Sequence, residues 1–171
     1  MRTMFLFLLA LAVFAVVHEA THALASLSFD EYRAFHIRPY GLEVEFKTPI
    51  PDRVGIKWAI ISGASNILTC SLGYLLLMRR RQLCHTASRT LRGLTFWVAL
   101  LGLVADPLNL SIGPFLYGGD ASGIAVGLGT NCLIVQIFSF VIFLLNRELV
   151  VQKLLPTYGI QTRHPLFRRW F

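Results

Sequence analysis

The sequence has little charge and little cysteine for its length. Only 15% of its 171 residues are charged, whereas 55% are hydrophobic. Because ordinary globular domains carry about 25% charged residues, this composition argues against a water-soluble domain and excludes disorder, collagen and coiled coil. The three cysteines, Cys70, Cys84 and Cys132, form no C-x-x-C pair. A disulfide framework and a thiolate zinc site are therefore not expected.

Acidic residues are scarcer than basic ones: nine Asp and Glu against sixteen Lys and Arg give a net charge of +7. The basic residues lie between long apolar runs, so we interpret them as charges that flank membrane spans, and we expect no nucleic-acid partner. The eleven on the side of the N-terminus are Arg2, Arg79, Arg80, Arg81, Arg89, Arg92, Arg147, Lys153, Arg163, Arg168 and Arg169. The five on the other side are Arg33, Arg38, Lys47, Arg53 and Lys57. The positive-inside rule would place both termini in the cytoplasm.

Four apolar stretches are long enough to cross about 30 Å of hydrocarbon, which needs roughly 20 helical residues. They are residues 3–25, 56–78, 93–112 and 121–145. The sequence therefore predicts an all-α integral membrane protein with four transmembrane helices, embedded in the lipid bilayer. Residues 1–145 would form its helical core. Residues 146–171 would form a basic tail, in which Pro156 and Pro165 argue against one continuous helix.

The segment between the first two spans has a different pattern. Residues 36–47 alternate polar and apolar side chains around Pro39-Tyr40-Gly41, which predicts a short membrane-associated β-hairpin. Pro49 and Pro51 then end it.

The first apolar stretch has a second interpretation. Arg2, the apolar run from Met4 to Val17 and the Ala23-Leu24-Ala25 triplet together resemble a secretory signal with its cleavage site. Against a signal, the polar residues at positions 18–22 separate the run from the triplet more widely than is usual. We therefore expect a membrane helix here.

The strongest motif is H-E-x-x-H, formed by His18, Glu19 and His22 in the first span. Positions i and i+4 share one face of a helix, so both imidazoles can reach one metal ion while Glu19 approaches a water molecule at that ion. With five His and five Glu, chance gives this pattern in roughly 0.4% of such sequences. Three ionisable residues in an apolar span also need a compensating partner, which a metal supplies. The alternative is a polar helix end outside the bilayer.

A third ligand must lie at the same depth as the histidines. His18 lies about 22 Å into a helix that begins near Thr3, some 8 Å short of the far surface. The fourth span would begin at that level with Asp120, which two glycines precede. Asp106, about 20 Å into the third span, competes with it, although it could instead bond to backbone groups freed by the proline that follows. Glycine permits close backbone approach, so the sequence favours Asp120.

These residues resemble the site-2 protease family of intramembrane zinc metalloproteases. Besides H-E-x-x-H, the family's motif of asparagine, proline and aspartate resembles Asn109, Pro114 and Asp120. Its small-residue motif ending in asparagine resembles residues 62–66, with alanine in place of a proline. The hairpin at residues 36–47 also lies where the family places a membrane-associated β-hairpin.

The resemblance implies a role for each residue. The ligands of Zn²⁺ would be His18, His22 and Asp120. Glu19 would act as general base and later as proton donor. Asn66 and Asn109 would orient the substrate, and Asn66 would alternatively stabilise an oxyanion. Family members with this layout hold zinc nearer the cytoplasmic face, which requires the opposite orientation from the one that the basic residues indicate, so the orientation stays open.

The expected function is zinc-dependent hydrolysis of peptide bonds in membrane-embedded or juxtamembrane polypeptides. A helical substrate must unwind before its carbonyl can reach the metal, and the hairpin would either hold the unwound chain by a strand edge or merely cap the bundle. An alternative is a non-enzymatic membrane protein that binds or transports a divalent metal through the same histidines. A third is a small structural membrane protein with a chance motif.

Overall fold

Four helices of this chain are long and apolar enough to cross a membrane, and a two-stranded hairpin follows the first of them. The residues described by the computed structural model are 2–39, 41–116, 119–161, 164 and 167–170. Four residues named in the sequence interpretation lie outside this set: Tyr40 of the turn, Gly118 beside Asp120, and Arg163 and Pro165 of the tail.

The elements follow a simple chain order. They are α1 (Arg2–Ser28), β1 (Tyr32–Arg38), β2 (Gly41–Phe46), α2 (Lys57–Met78), α3 (Arg80–Cys84), α4 (Arg89–Ile112), α5 (Gly119–Leu128), α6 (Cys132–Leu149) and α7 (Leu155–Thr157). A π-helical turn, Val150–Leu154, joins α6 to α7. The helices predicted at 3–25, 56–78 and 93–112 are confirmed to within a few residues at each end.

The fourth predicted span, 121–145, is wrong. Its residues belong to two separate helices, α5 and α6, and the helix of membrane length is Cys132–Thr157. The predicted basic tail at 146–171 therefore begins with helical residues. Pro156 lies in the first turn of α7, a position where the missing N–H of proline costs little.

Two residues produce the break between α5 and α6. Gly129 has a φ of 61°, a left-handed conformation that glycine adopts without strain. Asn131 caps the N-terminus of α6, since its side-chain oxygen accepts a hydrogen bond from the amide of Leu133 at 2.9 Å. The chain turns back at this point, and Ala121 and Ala125 of α5 pack against α6.

α2 lies at the centre of the bundle and packs against α1, α4 and α5. A Cβ atom at Gly73 of α2 would lie 2.8 Å from the carbonyl carbon of Gly102 in α4. A Cβ atom at Gly127 of α5 would lie 2.0 Å from the backbone nitrogen of Ala59 in α2. Both neighbours therefore approach α2 so closely that only glycine fits at the contact.

A proline inside α4 helps to attach α6. Because Pro107 has no N–H, the carbonyl of Leu103 lacks its partner within the helix. Asn146 of α6 is fully buried and donates a hydrogen bond from Nδ2 to this carbonyl at 2.7 Å. The Leu103 carbonyl freed by Pro107 accepts a hydrogen bond from Asn146. Because a carboxylate is also an acceptor, Asp106 cannot bond to this carbonyl.

The hairpin forms as predicted but is longer. β1 and β2 are antiparallel, with Tyr32 opposite Phe46 and Arg38 opposite Gly41. β1 begins four residues before the predicted start at His36. In the described part of the chain the sheet has these two strands, so one edge of β2 pairs with β1 and the other faces the helices.

Glu31 attaches the hairpin to α2. Its carboxylate accepts hydrogen bonds from Nζ of Lys57 at 2.5 Å and from Oγ1 of Thr48 at 2.7 Å. These hydrogen bonds hold the pKa of Glu31 below its ordinary value. The hairpin is thereby fixed over the end of the bundle at which α1 ends and α2 begins.

Candidate metal centre

α1 places both histidines of the H-E-x-x-H motif on its buried face. His18 and His22 are 8% and 4% exposed, and their ring centroids lie 4.8 Å apart. Since they are one helical turn apart, their Nε2 atoms meet at 3.1 Å. The geometry of one helix is enough to bring two nitrogen ligands together.

Asp120, in the first turn of α5, adds a carboxylate to this pair. Its Oδ2 lies 3.3 Å from Nε2 of His18, and its Oδ1 lies 3.3 Å from Nε2 of His22. The three side chains predicted from the sequence as metal ligands are therefore neighbours, although 98 residues separate His22 from Asp120 in the chain.

The packing of α5 on α2 places Asp120 at this depth. Gly123 of α5 lies against Ser62, and Gly127 lies against Ala59, so α5 runs antiparallel to α2. The first turn of α5 consequently points into the bundle and its last turn toward the hairpin end. The sequence interpretation placed Asp120 at the start of a returning span, whereas it begins a short helix that runs outward.

The distances between the three ligand atoms fit a tetrahedral ion. Zinc binds His nitrogen and carboxylate oxygen at about 2.0–2.2 Å, so two such atoms at tetrahedral angles are roughly 3.3 Å apart. The observed separations are 3.1, 3.3 and 3.3 Å. Across the described part of the chain, His18, His22 and Asp120 form the one group of three or more such side chains that could hold a metal ion.

The far side of the His22 ring is held by the backbone of α2. Nδ1 lies 2.8 Å from the carbonyl oxygen of Ile61. A carbonyl only accepts, so Nδ1 carries the hydrogen and the lone pair of the neutral ring lies on Nε2, which faces the cluster. Ser65 places its hydroxyl 2.9 Å from the same Nε2. A His ring fixed by its outer nitrogen is the usual arrangement of a metal ligand.

Asp106 lies behind the other histidine. Its Oδ1 is 3.2 Å from Nδ1 of His18, and its Oδ2 accepts a hydrogen bond from the hydroxyl of Thr69. Asp106 is 3% exposed. It therefore faces the outer nitrogen of His18 while Asp120 faces the inner one. This position suits a carboxylate that orients a liganding histidine, and it differs from the position of Asp120, with which the sequence left Asp106 in competition.

The amide nitrogen of Asn66 contacts the cluster, and the residue also lines a second cavity of about 610 Å³ between α2, α4, α5 and α6. Its Nδ2 donates to Oδ2 of Asp120 at 3.1 Å and to the carbonyl of Ser62 at 2.9 Å. An amide nitrogen has two hydrogens, and both are used in these bonds. The amide hydrogens of Asn66 thus hold Asp120, and the predicted contact of Asn66 with substrate stays a prediction. The other predicted orienting residue, Asn109, lies half-buried in the last turn of α4.

Glu19 lines a cavity beside the cluster. The cavity has a volume of about 510 Å³ and lies between α1, β2 and α5, with His22 and Asp120 also in its wall. The unpaired edge of β2 forms another wall, and the Glu19 carboxylate interacts there with the backbone amide of Val44. A carboxylate, two candidate metal ligands and an edge of β2 that pairs with no described strand therefore share one space.

The sequence interpretation missed most of the residues that support the ligands. They are Ser62, Ser65, Asn66 and Thr69, and all four are buried. Residues 62–66 were named as a motif, but a role was predicted only for Asn66. Their spacing of i, i+3, i+4 and i+7 puts them on one face of α2. A polar stripe along an otherwise apolar span is the signal that would have found them.

Comparison of the chain with protein-family models, with curated protein sequences and with solved structures finds no match. The function is therefore inferred from the side chains of this site.

Proposed function

We propose that this protein is an integral membrane zinc endopeptidase that cleaves membrane-embedded or juxtamembrane polypeptides. The observation that carries the proposal is the cluster of His18, His22 and Asp120 at tetrahedral separations, next to a carboxylate in the same cavity. Three protein ligands leave one position of a tetrahedral zinc ion open, as in catalytic zinc sites. The resemblance of the motifs to site-2 proteases supports the same reaction.

The residues around the cluster have distinct tasks. When bound, zinc would lower the pKa of a water molecule and polarise the scissile carbonyl. The carboxylate of Glu19 would accept a proton from the attacking water and then deliver it to the leaving amine nitrogen. Asn66 would hold Oδ2 of Asp120, and Asp106 would hold Nδ1 of His18. The ligands would thus be oriented before the metal arrives, which reduces reorganisation during the reaction.

The cavity beside β2 suits an extended substrate. Pairing with the free edge of β2 would hold an unwound chain by main-chain hydrogen bonds, and side-chain pockets would then discriminate between sequences. Leu42, Val44 and Phe46 of β2 line the cavity together with Val126 of α5. These apolar walls favour a substrate segment with apolar side chains next to the cleaved bond. Since a helix has no free main-chain groups for pairing, residues that break helices are expected there.

The test removes the proton acceptor and keeps the ligands. Glu19→Gln should retain about one zinc per chain and lower the cleavage rate of a model membrane substrate at least about a hundredfold, because general-base catalysis contributes that much. The matched control is Asp52→Asn, which removes an exposed carboxylate outside the cavity and should leave the rate unchanged. Metal content is measured by elemental analysis and cleavage in proteoliposomes.

Two results would contradict the proposal. Cleavage by Glu19→Gln at the rate of the unmodified protein would remove the carboxylate from the mechanism. Zinc-dependent ion flux into the vesicles, with no peptide cleaved by any variant, would instead support a metal-binding or metal-transporting protein.

A further inference from the structure

The charges of this protein are separated along the bundle. By chain position, ten of the fifteen described basic residues and one of the nine acids, Glu148, lie at the end that carries the N-terminus. The hairpin end carries five of each sign, and the remaining three acids belong to the candidate metal centre or its surroundings. The excess positive charge of the chain is therefore concentrated at one end of the bundle.

A groove opens at this positive end. It has a volume of about 530 Å³ and lies where α1 and α4 begin and where the chain leaves α7. Three of its lining residues are arginines: Arg2, Arg89 and Arg92. Three helices of membrane length have an end here, namely α1, α4 and the helix Cys132–Thr157. The groove therefore lies at the level of the lipid headgroups.

Among the described residues, the three arginines have no carboxylate partner. Arg2 donates to the hydroxyl of Thr90 at 3.0 Å, and Arg92 donates to a backbone carbonyl at 3.3 Å. Within the described residues none of the three forms an ion pair, and the one acid of this end, Glu148, is buried against Arg147 at 2.5 Å. Three guanidinium groups around one groove can bind an anion that none of the described carboxylates supplies.

The floor of the groove is apolar. Leu6, Phe96 and Leu155 form its buried part, and Trp97 and Tyr158 lie at its sides. Aromatic residues with a polar tip are enriched at the membrane interface, where one part of the ring contacts acyl chains and the other contacts headgroups. The groove therefore offers cationic contacts at its rim and hydrocarbon contacts along its floor.

We propose that this groove binds an anionic glycerophospholipid, with the headgroup phosphate between Arg2, Arg89 and Arg92 and one acyl chain along Leu6 and Trp97. A lipid can contact both the arginines at the rim and the apolar floor, whereas a free anion would contact only the arginines. Basic pockets between membrane helices bind anionic lipids by the same contacts. The site lies at the opposite end of the bundle from the hairpin and is independent of the proposed protease activity.

The experiment counts bound lipid on the full-length protein by native mass spectrometry. The protein is released from a non-ionic detergent after equilibration with phosphatidylglycerol or with phosphatidylcholine of the same acyl chains. We expect one phosphatidylglycerol per chain to remain bound under conditions that remove phosphatidylcholine. Equal retention of the two lipids would overturn the proposal, and this comparison needs no variant.

Two matched double variants locate the site. Arg89→Gln with Arg92→Gln should weaken phosphatidylglycerol binding roughly 30-fold, since each basic residue near an anionic headgroup contributes about a factor of five. Arg79→Gln with Arg81→Gln removes the same charge from exposed positions at the same end and should retain binding. An equal loss in both would show a diffuse surface effect and would contradict a built site.

A free anion is distinguished by a third arm. Phosphatidylglycerol should raise the melting temperature of the protein when it binds. Inorganic phosphate at the same concentration should leave the melting temperature unchanged. An equal increase with phosphate would assign the arginines to a soluble anion and overturn the assignment to a lipid.

Discussion

At the scale of single residues, the two aspartates of the bundle take opposite sides of one imidazole ring. Asp120 lies against Nε2 of His18, and Asp106 lies against Nδ1. A residue that supplies a ligand atom and a residue that orients a ligand have different effects on metal binding when they are removed. Substituting each aspartate in turn and measuring zinc binding therefore distinguishes the ligand from the orienting residue.

Asp106→Asn should weaken zinc binding about 10- to 100-fold while leaving one site per chain, because the neutral amide is a poorer partner for the His18 ring. Asp120→Ala should abolish binding at any practical concentration, since it removes a ligand. Both are measured by titration against a competing chelator. The reverse order, with binding lost in Asp106→Asn and kept in Asp120→Ala, would exchange the roles assigned to the two residues.

The histidines could be predicted from the sequence because their meeting is local. Positions i and i+4 of a helix are neighbours in any fold. The side of the ring that each aspartate approaches depends on how α4 and α5 are rotated against α1, and no local pattern contains that rotation. Asn66 is a second example. The sequence shows that Asn66 belongs to a polar stripe on one face of α2, but its hydrogen bond to Asp120 depends on how α5 packs against α2.

At the scale of helices, the contact of α5 with α2 sets the position of Asp120. Gly127→Ala should destabilise this contact by about 1–3 kcal/mol, because the new methyl group meets the backbone of Ala59 and α5 must move. Zinc affinity should fall as well, since α5 carries a ligand. Thermal unfolding in detergent and zinc titration measure the two effects.

The control for this substitution lies on the same interface. A Cβ atom at Gly63 would meet only the side chain of Ile124, at 3.7 Å, which is ordinary contact. Gly63→Ala should therefore leave stability and zinc affinity close to those of the unmodified protein. If both alanine variants behaved alike, the close approach of α5 to α2 would not be what positions Asp120.

The connection between the hairpin and α2 should depend on pH. The pKa of Glu31 is lowered by its hydrogen bonds from Lys57 and Thr48. A carboxyl group with a lowered pKa in the folded state stabilises the fold above its ordinary pKa of 4.5 and loses that contribution as the pH falls below it.

Glu31→Gln should therefore reduce the melting temperature at neutral pH and have a diminishing effect as the pH falls below about 4.5. Asp30→Asn is the control, because Asp30 is largely exposed and its pair with Lys47 contributes little. A melting temperature reduced equally at every pH would show that the ionised form of Glu31 is not what holds the hairpin.

The fourth span shows why hydropathy alone misplaces a helix. Residues 121–145 contain no charged residue and are mostly apolar, so their summed hydropathy predicts one helix, although the signals of a break, Gly129 and Asn131, lie within them. Hydropathy also predicts an end where the helix continues, because Arg147 and Glu148 are charged. They pair with each other in the bundle, so the helix continues through them. An ion pair offsets the cost of burying two charges, and hydropathy summed residue by residue does not include that contact.

At the scale of the whole molecule, α1 connects the two ends of the bundle. It is 27 residues long, or about 40 Å, and carries Arg2 at one end and the hairpin connection at the other. His18 lies about 24 Å from Arg2 along the axis. The candidate metal centre therefore has a fixed distance from the positive end of the protein, whatever surrounds it.

The hydrocarbon core of a bilayer averages about 30 Å, and its thickness differs by a few Å among membranes. With Arg2 held among the headgroups of one leaflet, a thinner bilayer brings the metal centre closer to the opposite surface, and a thicker bilayer moves it away from water. We expect cleavage to slow along a series of phosphatidylcholine vesicles with lengthening acyl chains, while the zinc content stays constant. Equal rates throughout the series would contradict this. The rigid length of α1 would thus make acyl-chain length a control on the supply of water to the proposed hydrolysis.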